Sequence, residues 1–593
     1  MVTLWSGRPG WLGKLGLLLL VSWLLVLVLS VSYIFKNSPS SPYGDNPTEK
    51  DHAQRLTQIV NDFDILKKQN EALKSIILGE GSNHVQGDHL GTLQERLEKA
   101  SIYYDIFDNN GRQKSSRNGE PSLEYEELRR RIRDGVQEMW YYVNSELKLL
   151  KKNTYDFAPE QRDKDVENAL KNVWEHKKSL IQDIDRLAQV DGYQDWREKE
   201  SKDLSDLVQR RFKYLQNPED CDRAKKLICS LNKGCGFGCQ VHHVAYCFLV
   251  AYGTERTLIL KSKGWRYQKD GWESVFKPVS DTCLSASGVS HANWPGDSSK
   301  QVLSLPIVDN VYPKPKYQPP GVPADLAPRL EKLHGHPIVW WVGQVLKYLL
   351  RPQENLQKVL DYSKEKMGFK SPVVGVHVRR TDKVGTEAAY HDIDEYMVKV
   401  NEYYDQLDIK PEERRVFLAS DDPKVIVAAK ERYPTYQIIG DPEIAKTASV
   451  SRRYSDSSLQ GIIVDIHLLS LCDHLICTFS SQVCRVAYEI MQSFYPDAYN
   501  HFSSLDDVYY YGGQNPHPHL ARLNHSPRSN GELELKVNDP IEVFGNHWNG
   551  YSKGRNARTN TVGLYPSFKV RNPIEAIDFP KYPNVPLEVD KEQ

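Results

Sequence analysis

The hydrophobic pattern of the chain opens with an apolar run long enough to cross a membrane. Residues 15–35 carry no charged side chain, and a helix rising about 1.5 Å per residue spans the ~30 Å hydrocarbon core over that length. Arg8 and Lys14 precede the run, which favours a cytoplasmic N-terminus. A cleaved signal peptide is the alternative, but its apolar region usually has only ~7–15 residues. The pattern therefore predicts a cytoplasmic tail over 1–14 and an uncleaved signal anchor over 15–35.

A second hydrophobic pattern has the three- and four-residue steps of a coiled coil. It comprises Leu56, Ile59, Phe63, Leu66, Asn70, Leu73 and Ile77. A core asparagine such as Asn70 sets register and oligomeric state, so we expect the stem, residues 36–120, to form a homodimer. The alternative is one amphipathic helix that packs on its own domain. Charged helical patterns follow, and they predict a helical scaffold over 121–217.

After the scaffold, the pattern changes to β-rich runs and then to alternating strands and helices. Val244–Val250 and residues 372–378 are continuous apolar runs that predict buried strands. Further predicted strands, each followed by a helical stretch or a turn, lie at 416–419, 437–439 and 474–478. Such alternation is typical of a doubly wound α/β unit. The pattern predicts a first α/β lobe over 218–370 and a Rossmann-type lobe over 371–500.

The C-terminal part has the short strands and turns of an SH3 barrel. Asp539–Val543 has the form D-x-I-x-V, Trp548–Gly550 has the form W-x-G, and Gly563–Ser567 reads G-L-Y-P-S. Such barrels usually bind proline-rich segments; the alternative is a barrel packed on the catalytic body. The pattern predicts an SH3-like barrel over 501–574 and a tail over 575–593.

Composition excludes two classes of protein. Of 593 residues, 40% are apolar and 26% are charged, which is ordinary for a globular chain and excludes general disorder. The 77 basic residues are balanced by 78 acidic residues, giving a net charge of −1. A polyanion binder normally has a large basic excess, so nucleic acid is not expected as a partner.

The nine cysteines point to an oxidising compartment. Six lie between residues 221 and 283, three lie between 472 and 484, and none precedes residue 221. Disulfides are expected for such a lumenal protein. Zinc is the alternative, because Cys235 and Cys239 are followed by His242 and His243, but no second cysteine pair follows at finger spacing. Spacing leaves the connectivity open.

Candidate chemistry follows directly on the apolar run that ends at residue 378. The segment His377-Val-Arg379-Arg380-Thr-Asp382-Lys383 brings cations to the carboxyl end of a predicted parallel strand, where such folds bind ligands. Adjacent guanidinium groups suit a diphosphate, whereas an arginine pair in a solvated loop is the alternative. Glu387 follows and can act as a general base on a sugar hydroxyl.

Other polar residues lie at neighbouring strand ends. Asp421 and Asp422 either cap the next helix or contact the donor or acceptor. Asp465 lies within an apolar helical stretch and needs a partner, such as a guanine edge or an arginine. Residues 478–484 open a helix whose N–H groups can bind an anion. Phosphate-loop and H-E-x-x-H motifs are missing from the sequence, and no metal site is predicted.

The segment Gly375-Val-His-Val-Arg-Arg-Thr-Asp-Lys-Val-Gly-Thr-Glu387 resembles the α-1,6-fucosyltransferases that core-fucosylate N-glycans. Further matching stretches are Asp195–Glu200, Asn232–His243, Trp340-Trp341, Cys477–Met491 and Asn546–Trp548. The resemblance covers nearly the whole chain, although residues up to about 120 match only in layout as an anchor and a stalk. It implies a GT-B-like fold and a type II Golgi membrane enzyme whose catalytic part is lumenal. That enzyme would transfer L-fucose from GDP-β-L-fucose to O6 of the innermost, Asn-linked GlcNAc of N-glycoproteins, with inversion and without a metal.

The resemblance also implies roles for individual residues. Glu387 is the base, oriented with Lys383, and Arg379 grips the diphosphate. Donor-binding residues are His377, Arg379, Arg380, Tyr267, Asp465, Ser481, Gln482 and Gly238. Acceptor-binding residues are Lys233, Asp309, Asp506, Asp507, Gln514, His547 and Lys553. The implied disulfides are Cys221–Cys283, Cys229–Cys247, Cys235–Cys239 and Cys477–Cys484, and Cys472 is left unpaired.

Two other functions compete with this one. The first is a fucosyltransferase that acts on protein hydroxyls, against which the long stalk and the C-terminal barrel argue. The second is a non-catalytic lumenal scaffold, which would be expected to lack Arg379 or Glu387, yet both are present. A single N-glycosylation sequon occurs, at Asn524-His-Ser526.

Overall fold

The computed structural model describes residues 119–153, 159–381, 385, 388–448 and 452–585. The predicted anchor over 15–35, nearly all of the stem and the two candidate residues Lys383 and Glu387 lie outside these residues. Within them, every helix is too short or too polar to cross a membrane. The fold of the described part consists of a helical layer, two larger parallel sheets, a two-stranded parallel sheet and an antiparallel sheet.

Long helices precede the first sheet. They are α1 (Leu123–Asn153), α2 (Pro159–Val190) and α3 (Gln194–Gln216). The hydroxyl of Tyr125, near the start of α1, donates to Asp191 just after α2 (3.1 Å), so the two helices run antiparallel. Buried Arg197 on α3 donates to both Glu126 (2.6 Å) and Asp191 (2.5 Å). This charged cluster fixes α3 against the other two helices, because a buried guanidinium needs such partners.

The first lobe is built on a parallel sheet with the strand order β2-β1-β4-β3. The strands are β1 (Lys226–Ser230), β2 (Thr257–Lys261), β3 (His291–Asn293) and β4 (Val302–Ser304). Helix α4 (Phe237–Gly253) connects β1 to β2 and is buried almost throughout. The predicted strand over Val244–Val250 is therefore wrong. That run is the middle of α4, since a segment buried on all sides lacks the period that separates a helix from a strand.

The first lobe continues with a short strand and further helices. They are β5 (Gly321–Pro323), α5 (Ala327–Leu333), α6 (Pro337–Leu349) and α7 (Glu354–Lys366). Prolines in the first turn of α5 and α6 suit a position that needs no N–H donor. Trp340 and Trp341 on α6 are completely buried and anchor the core of the lobe.

The second lobe is a parallel sheet with the strand order β10-β9-β6-β7-β8. Its strands are β6 (Val373–Val378), β7 (Arg415–Ser420), β8 (Gln437–Ile439), β9 (His474–Cys477) and β10 (Phe502–Ser504). Its helices are α8 (Ile393–Gln406), α9 (Pro423–Arg432), α10 (Pro442–Thr447), α11 (Asp456–Ser470) and α12 (Gln482–Met491). The strand order reverses at β6, because the chain proceeds to β7 and β8 on one side and returns to β9 on the other. Ligands bind in the crevice at such a switch point, beyond the carboxyl ends of the strands.

The C-terminal sheet is antiparallel with the order β14-β13-β12-β11-β15. Its strands are β11 (His519–Ala521), β12 (Pro540–Asn546), β13 (Tyr551–Asn556), β14 (Thr561–Pro566) and β15 (Val570–Arg571). A small core of Leu533, Leu535, Ile541 and Tyr565 lies inside it. This arrangement agrees with the short-strand pattern of the region.

Two predicted boundaries differ from the structure. The second sheet extends past residue 500, because β10 pairs in parallel with β9. The segment predicted as a tail contains strand β16 (Glu575–Ile577), which pairs in parallel with β5 of the first lobe. Beyond β16, the hydroxyl of Tyr582 donates to the carbonyl of Tyr252 (2.8 Å). The chain therefore returns to the first lobe through residue 585, and pairing between segments so far apart in sequence leaves no local signal.

The structure forms the four disulfides that the resemblance implies. They are Cys221–Cys283, Cys229–Cys247, Cys235–Cys239 and Cys477–Cys484. Cys472 is a buried free cysteine. The zinc alternative fails, because a metal site needs thiolates, and the two cysteines on which it rested, Cys235 and Cys239, are joined to each other. The cysteines that lie near His243, Cys229 and Cys247, are likewise joined.

Acid will destabilise this fold through buried His334. Its ring is stacked on Trp340 (5.1 Å between centroids), and burial lowers its pKa to about 3. Unfolding exposes the ring and restores a pKa near 6.5, so the unfolded chain binds the additional proton between about pH 6.5 and 3. The free energy of unfolding therefore falls as pH falls, by up to about 1.4 kcal/mol per pH unit from this histidine.

We expect the melting temperature to drop by a few degrees between pH 7 and pH 5.5. His334→Phe keeps an aromatic ring on Trp340 and removes the titration, so its melting temperature should depend less on pH. His291→Phe, at an exposed position, is the matched control and should follow the unmodified protein. An identical pH dependence in all three proteins would exclude His334 as the source.

Candidate active site

The loop that follows β6 is fastened by one buried carboxylate, that of Asp421. Its oxygens accept hydrogen bonds from the backbone N–H groups of Arg380 (2.7 Å) and Thr381 (3.1 Å). They also accept from the guanidinium of Arg379 and from the hydroxyl of Thr381. Asp421 directly follows β7, so the end of one strand holds the loop at the end of its neighbour. The adjacent arginines are thus fixed at the switch point rather than moving in a solvated loop.

The two acidic residues after β7 have different roles. The side chain of Asp422 accepts from the backbone N–H of Lys424 (2.9 Å) and caps α9, which is the capping alternative considered for both residues. Asp421 instead orients the loop that carries Arg379 and Arg380, which we call the arginine loop. Sequence reasoning missed this role of Asp421. Its partners lie about 40 residues upstream, and only the pairing of β6 with β7 brings them together.

His377 lies on β6, just before the arginine pair, and is buried. Burial lowers its pKa to about 4, an effect that the charge of Asp421 opposes and that of Arg379 reinforces. The ring is therefore neutral near pH 7. Its Nδ1 is buried and has no hydrogen-bond partner within the described part of the chain. A neutral imidazole with an unused ring nitrogen suits the recognition of a polar ligand edge.

The loop that follows β9 provides backbone and hydroxyl groups on the other side of the switch point. The N–H groups of Phe479 (2.8 Å) and Ser480 (3.3 Å) donate to Asp506, and the Cys477–Cys484 disulfide brackets the loop. Ser481 precedes the first residue of α12. The hydroxyl of Ser480 is buried and has no partner among the described residues. An unused hydroxyl beside a helix N-terminus suits the binding of an anion.

The first lobe contributes Gly238 and Tyr267. A Cβ on Gly238 would lie 3.1 Å from backbone atoms of Gln482, so glycine allows α4 to approach the start of α12 closely. Burial raises the pKa of Tyr267 to about 12, although the positive charges of Arg453 and Arg379 act in the opposite direction.

Asp465 is a buried carboxyl group on α11. Burial, together with the nearby charge of Asp441, raises its pKa well above the usual range. The group makes no hydrogen bond to any residue that the structure describes. Leaving a buried carboxyl without a partner is costly, so this position suits contact with a ligand that carries hydrogen-bond donors.

We divide the predicted acceptor residues into two groups. The inner group is Lys233, Asp309, Asp506 and Gln514, and the outer group is Asp507, His547 and Lys553. Lys233 and Asp309 form an ion pair. Asp506 accepts from the loop after β9, and the side chain of Gln514 accepts from the N–H of Tyr511 (2.8 Å). Asp506 therefore has a structural role that the sequence did not predict.

The outer group lies around the C-terminal sheet. Burial raises the pKa of Asp507, whose carboxylate lies beside Gly545 on β12. His547 and Lys553 are exposed. Trp548 was missed as a contact residue, and its indole N–H donates to the carbonyl of Asp506 (2.9 Å). The small sheet is thus packed on the catalytic body, as one of the two alternatives for it predicted.

Comparison with known proteins identifies a family whose sequence pattern the chain matches. Residues 5–510 match the family described as Alpha-(1,6)-fucosyltransferase N- and catalytic domains. An alpha-(1,6)-fucosyltransferase of Drosophila melanogaster is 57% identical over 469 residues, which cover 79% of this chain and 76% of that protein. One of Caenorhabditis elegans is 37% identical over 557 residues, or 90% of this chain and 94% of that protein. The structure of the fucosyltransferase NodZ from Bradyrhizobium matches at 13% identity and a TM-score of 0.29, over 44% of this chain and 92% of that one.

Proposed function

Since this chain belongs to the alpha-(1,6)-fucosyltransferase family, it is an α-1,6-fucosyltransferase, and we propose that it transfers L-fucose from GDP-β-L-fucose to O6 of the innermost, Asn-linked GlcNAc of N-glycans. The observation that carries the proposal is the arginine loop that Asp421 holds at the switch point. The strand next to β6, β9, leads to a helix start that carries an unused hydroxyl, that of Ser480. These are the groups that a nucleoside diphosphate needs.

In the proposed donor site, both lobes contribute residues that contact the nucleotide. Arg379 and the loop around Ser481 bind the diphosphate, and Arg380 adds positive charge beside them. His377 and Asp465 contact the guanine, because one offers a neutral ring nitrogen and the other an unpaired carboxyl group. Tyr267 and Gly238 contribute from the first lobe of this GT-B-like arrangement. Arginine and backbone donors can stabilise the negative charge that develops on the leaving diphosphate, so the proposal requires no metal ion.

The proposed chemical step is a single in-line displacement. Glu387 removes the proton from O6 of the acceptor GlcNAc while that oxygen attacks the anomeric carbon of fucose, and GDP leaves with its electron pair. Lys383 orients Glu387, and the anomeric configuration inverts. A base must lie within hydrogen-bond reach of the hydroxyl that it deprotonates. Glu387, which follows Arg379 closely in the sequence, is the carboxylate to which we assign this role.

The proposed acceptor site extends from the inner loops to the C-terminal sheet. Lys233, Asp309 and Gln514 contact the glycan beside the donor, with the carboxylates of Asp506 and Asp507. His547 and Lys553 extend from the exposed face of the SH3-like barrel, which is joined to the inner loops through Trp548. A barrel so placed explains how the enzyme can contact a branched N-glycan beyond its innermost sugar.

The proposed setting of the enzyme follows from its N-terminal part and its disulfides. Residues 15–35 anchor it in the Golgi membrane as a single-pass type II protein, and the stem pairs two copies. The catalytic part then lies in the lumen, an oxidising compartment that allows disulfides such as Cys477–Cys484 to persist.

A transfer assay tests the proposed function. The full-length protein in detergent, with a chelator, is incubated with GDP-fucose and a GlcNAc-terminated biantennary glycopeptide, and the product is sequenced by mass spectrometry. We expect one deoxyhexose on O6 of the innermost GlcNAc. GDP binding without transfer to this glycan would move the acceptor to protein hydroxyls or another sugar. The absence of both would favour a scaffold.

Removing the Asp421 carboxylate will impair donor binding. Asp421→Ala frees the loop that carries Arg379 and removes the carboxylate that orients its guanidinium, so we expect kcat/KM for GDP-fucose to fall about 100-fold. Isothermal titration calorimetry with GDP should show a weaker affinity by a similar factor. Asp422→Ala is the matched control. It removes the cap of α9 and costs about 1 kcal/mol of stability, with little change in kcat/KM. Equal effects from both variants would contradict the assigned role of Asp421.

A further inference from the structure

Buried polar side chains link the two lobes through Gln482. The carboxylate of Glu489, on α12, is completely buried. It accepts hydrogen bonds from Nε2 of His242 (2.9 Å) and from the hydroxyl of Tyr509 (2.7 Å). The other ring nitrogen of His242, Nδ1, lies 3.0 Å from Oε1 of Gln482. Because His242 lies on α4, this chain of contacts runs from one lobe to the other.

Helix α4 therefore contacts Gln482 in two ways. Gly238, one turn before His242, packs against the backbone of Gln482 so closely that a Cβ would lie 3.1 Å from its carbonyl group. His242 contacts the end of the same side chain. These contacts at both ends of the Gln482 side chain restrict its conformation. The orientation of its terminal amide then depends on the hydrogen bond with the His242 ring.

The partners of His242 define its protonation. An ionised carboxylate only accepts hydrogen bonds, so the contact with Glu489 requires a proton on Nε2. An amide oxygen also only accepts, so the contact with Gln482 requires a proton on Nδ1. Both contacts are satisfied together when each ring nitrogen carries a proton, and a ring in that form supplies the counter-charge that a fully buried carboxylate needs.

The other ionisable groups around this pair do not supply that counter-charge. Tyr509 donates its hydroxyl to Glu489, and the ring of Tyr511 lies 5.0 Å from that of His242. Arg485, on the same helix as Glu489, donates to the backbone carbonyl of Tyr510 (3.0 Å). Within the described residues, the ion-pair contact of Glu489 is thus the one with His242.

A His242 ring that is protonated on both nitrogens determines which end of the Gln482 amide, the oxygen or the nitrogen, is free to contact a ligand. With Oε1 turned toward the ring, the amide nitrogen faces away from it, and this nitrogen donates to no group in the part of the chain that the structure describes. Phosphate oxygens accept hydrogen bonds, so they are matched by an N–H and repelled by a carbonyl oxygen. We propose that the His242–Glu489 pair is a positioning device that holds the Gln482 amide as a hydrogen-bond donor toward a nucleoside diphosphate. This inference rests on the proposed function, in which Gln482 contacts the donor.

A double-mutant cycle on GDP binding tests the proposal. Glu489→Gln removes the charge and leaves a neutral imidazole, whose Nδ1 then accepts from the Gln482 amide and turns its oxygen toward the phosphate. We expect the Kd of GDP, measured by calorimetry on the full-length protein, to rise about tenfold. In a Gln482→Ala background the same change should raise the Kd less than about twofold, because the group through which Glu489 acts is gone. KM for GDP-fucose should follow Kd, with kcat little changed.

The control and a second variant separate this device from a general loss of structure. Glu532→Gln disrupts a similar buried pair, His525–Glu532 (3.0 Å), in the C-terminal sheet and should leave the Kd of GDP unchanged. If Glu489→Gln fails to fold, His242→Phe takes its place in the same cycle with the same expected result. Equal increases in both backgrounds, or no increase in the unmodified background, would overturn the positioning role. Failure of the unmodified protein to bind GDP would instead overturn the proposed function on which it rests.

Discussion

Arg379→Ala will lower kcat/KM for GDP-fucose about a thousandfold and weaken GDP binding to a similar extent. The guanidinium is mostly buried and is oriented by Asp421, so it meets the diphosphate in a fixed direction and in surroundings that contain little water. A planar fork that makes two charge-assisted hydrogen bonds to phosphate contributes on the order of 3–6 kcal/mol. Steady-state kinetics and calorimetry with GDP measure the two effects separately.

Arg379→Lys tests whether the effect of Arg379 depends on its positive charge alone or also on the planar shape of its guanidinium. Lysine keeps the positive charge but lacks the fork, so we expect it to recover only a small part of the lost kcat/KM. Arg555→Ala is the control, since this half-exposed arginine forms an ion pair with Glu542 within the C-terminal sheet. An unchanged Kd of GDP in Arg379→Ala would refute the diphosphate contact.

Glu387→Gln will reduce transfer by more than about a thousandfold while the Kd of GDP changes less than about twofold. Glutamine has nearly the same shape as glutamate but cannot accept the proton from O6 of the acceptor, and general-base catalysis contributes about 10²–10⁴ in rate. The nucleotide does not need this proton transfer in order to bind. Single-turnover transfer measurements with saturating GDP-fucose report the chemical step directly.

The matched control for Glu387 is Glu395→Gln. Glu395 also follows the arginine loop and forms part of the capping box of α8, so its substitution tests for a nonspecific effect of losing a carboxylate there. We expect a modest loss of stability and nearly unchanged transfer. Substantial transfer by Glu387→Gln would assign the base to another group.

The second lobe was predictable because its pattern is strong and local. The apolar run over 372–378 corresponds to β6, and the helical stretch predicted over 423–432 is α9. A parallel strand covered on both faces is apolar at most positions, and this requirement produces a sequence pattern that can be recognised. The same reasoning failed for Val244–Val250, where an equally continuous run belongs to a buried helix.

The partners of the site residues could not be predicted, because they depend on which strands become neighbours. Asp421 orients the arginine loop only because β6 and β7 are adjacent, and Asp506 holds the loop after β9 because β10 pairs with β9. The contact between His242 and Glu489 joins helices of different lobes. The sequence indicated which residues are capable of such chemistry. The tertiary structure determined which residues became their hydrogen-bond and ion-pair partners.

Strand β16 has a consequence for biosynthesis. Because it pairs with β5 of the first lobe, that lobe is complete only after the ribosome has made the second lobe and the C-terminal sheet. A nascent chain is synthesised from its N-terminus, so the edge of β5 stays unpaired until synthesis is nearly finished. A chain truncated before β16 keeps this edge exposed, and an unpaired strand edge can pair with other chains and aggregate.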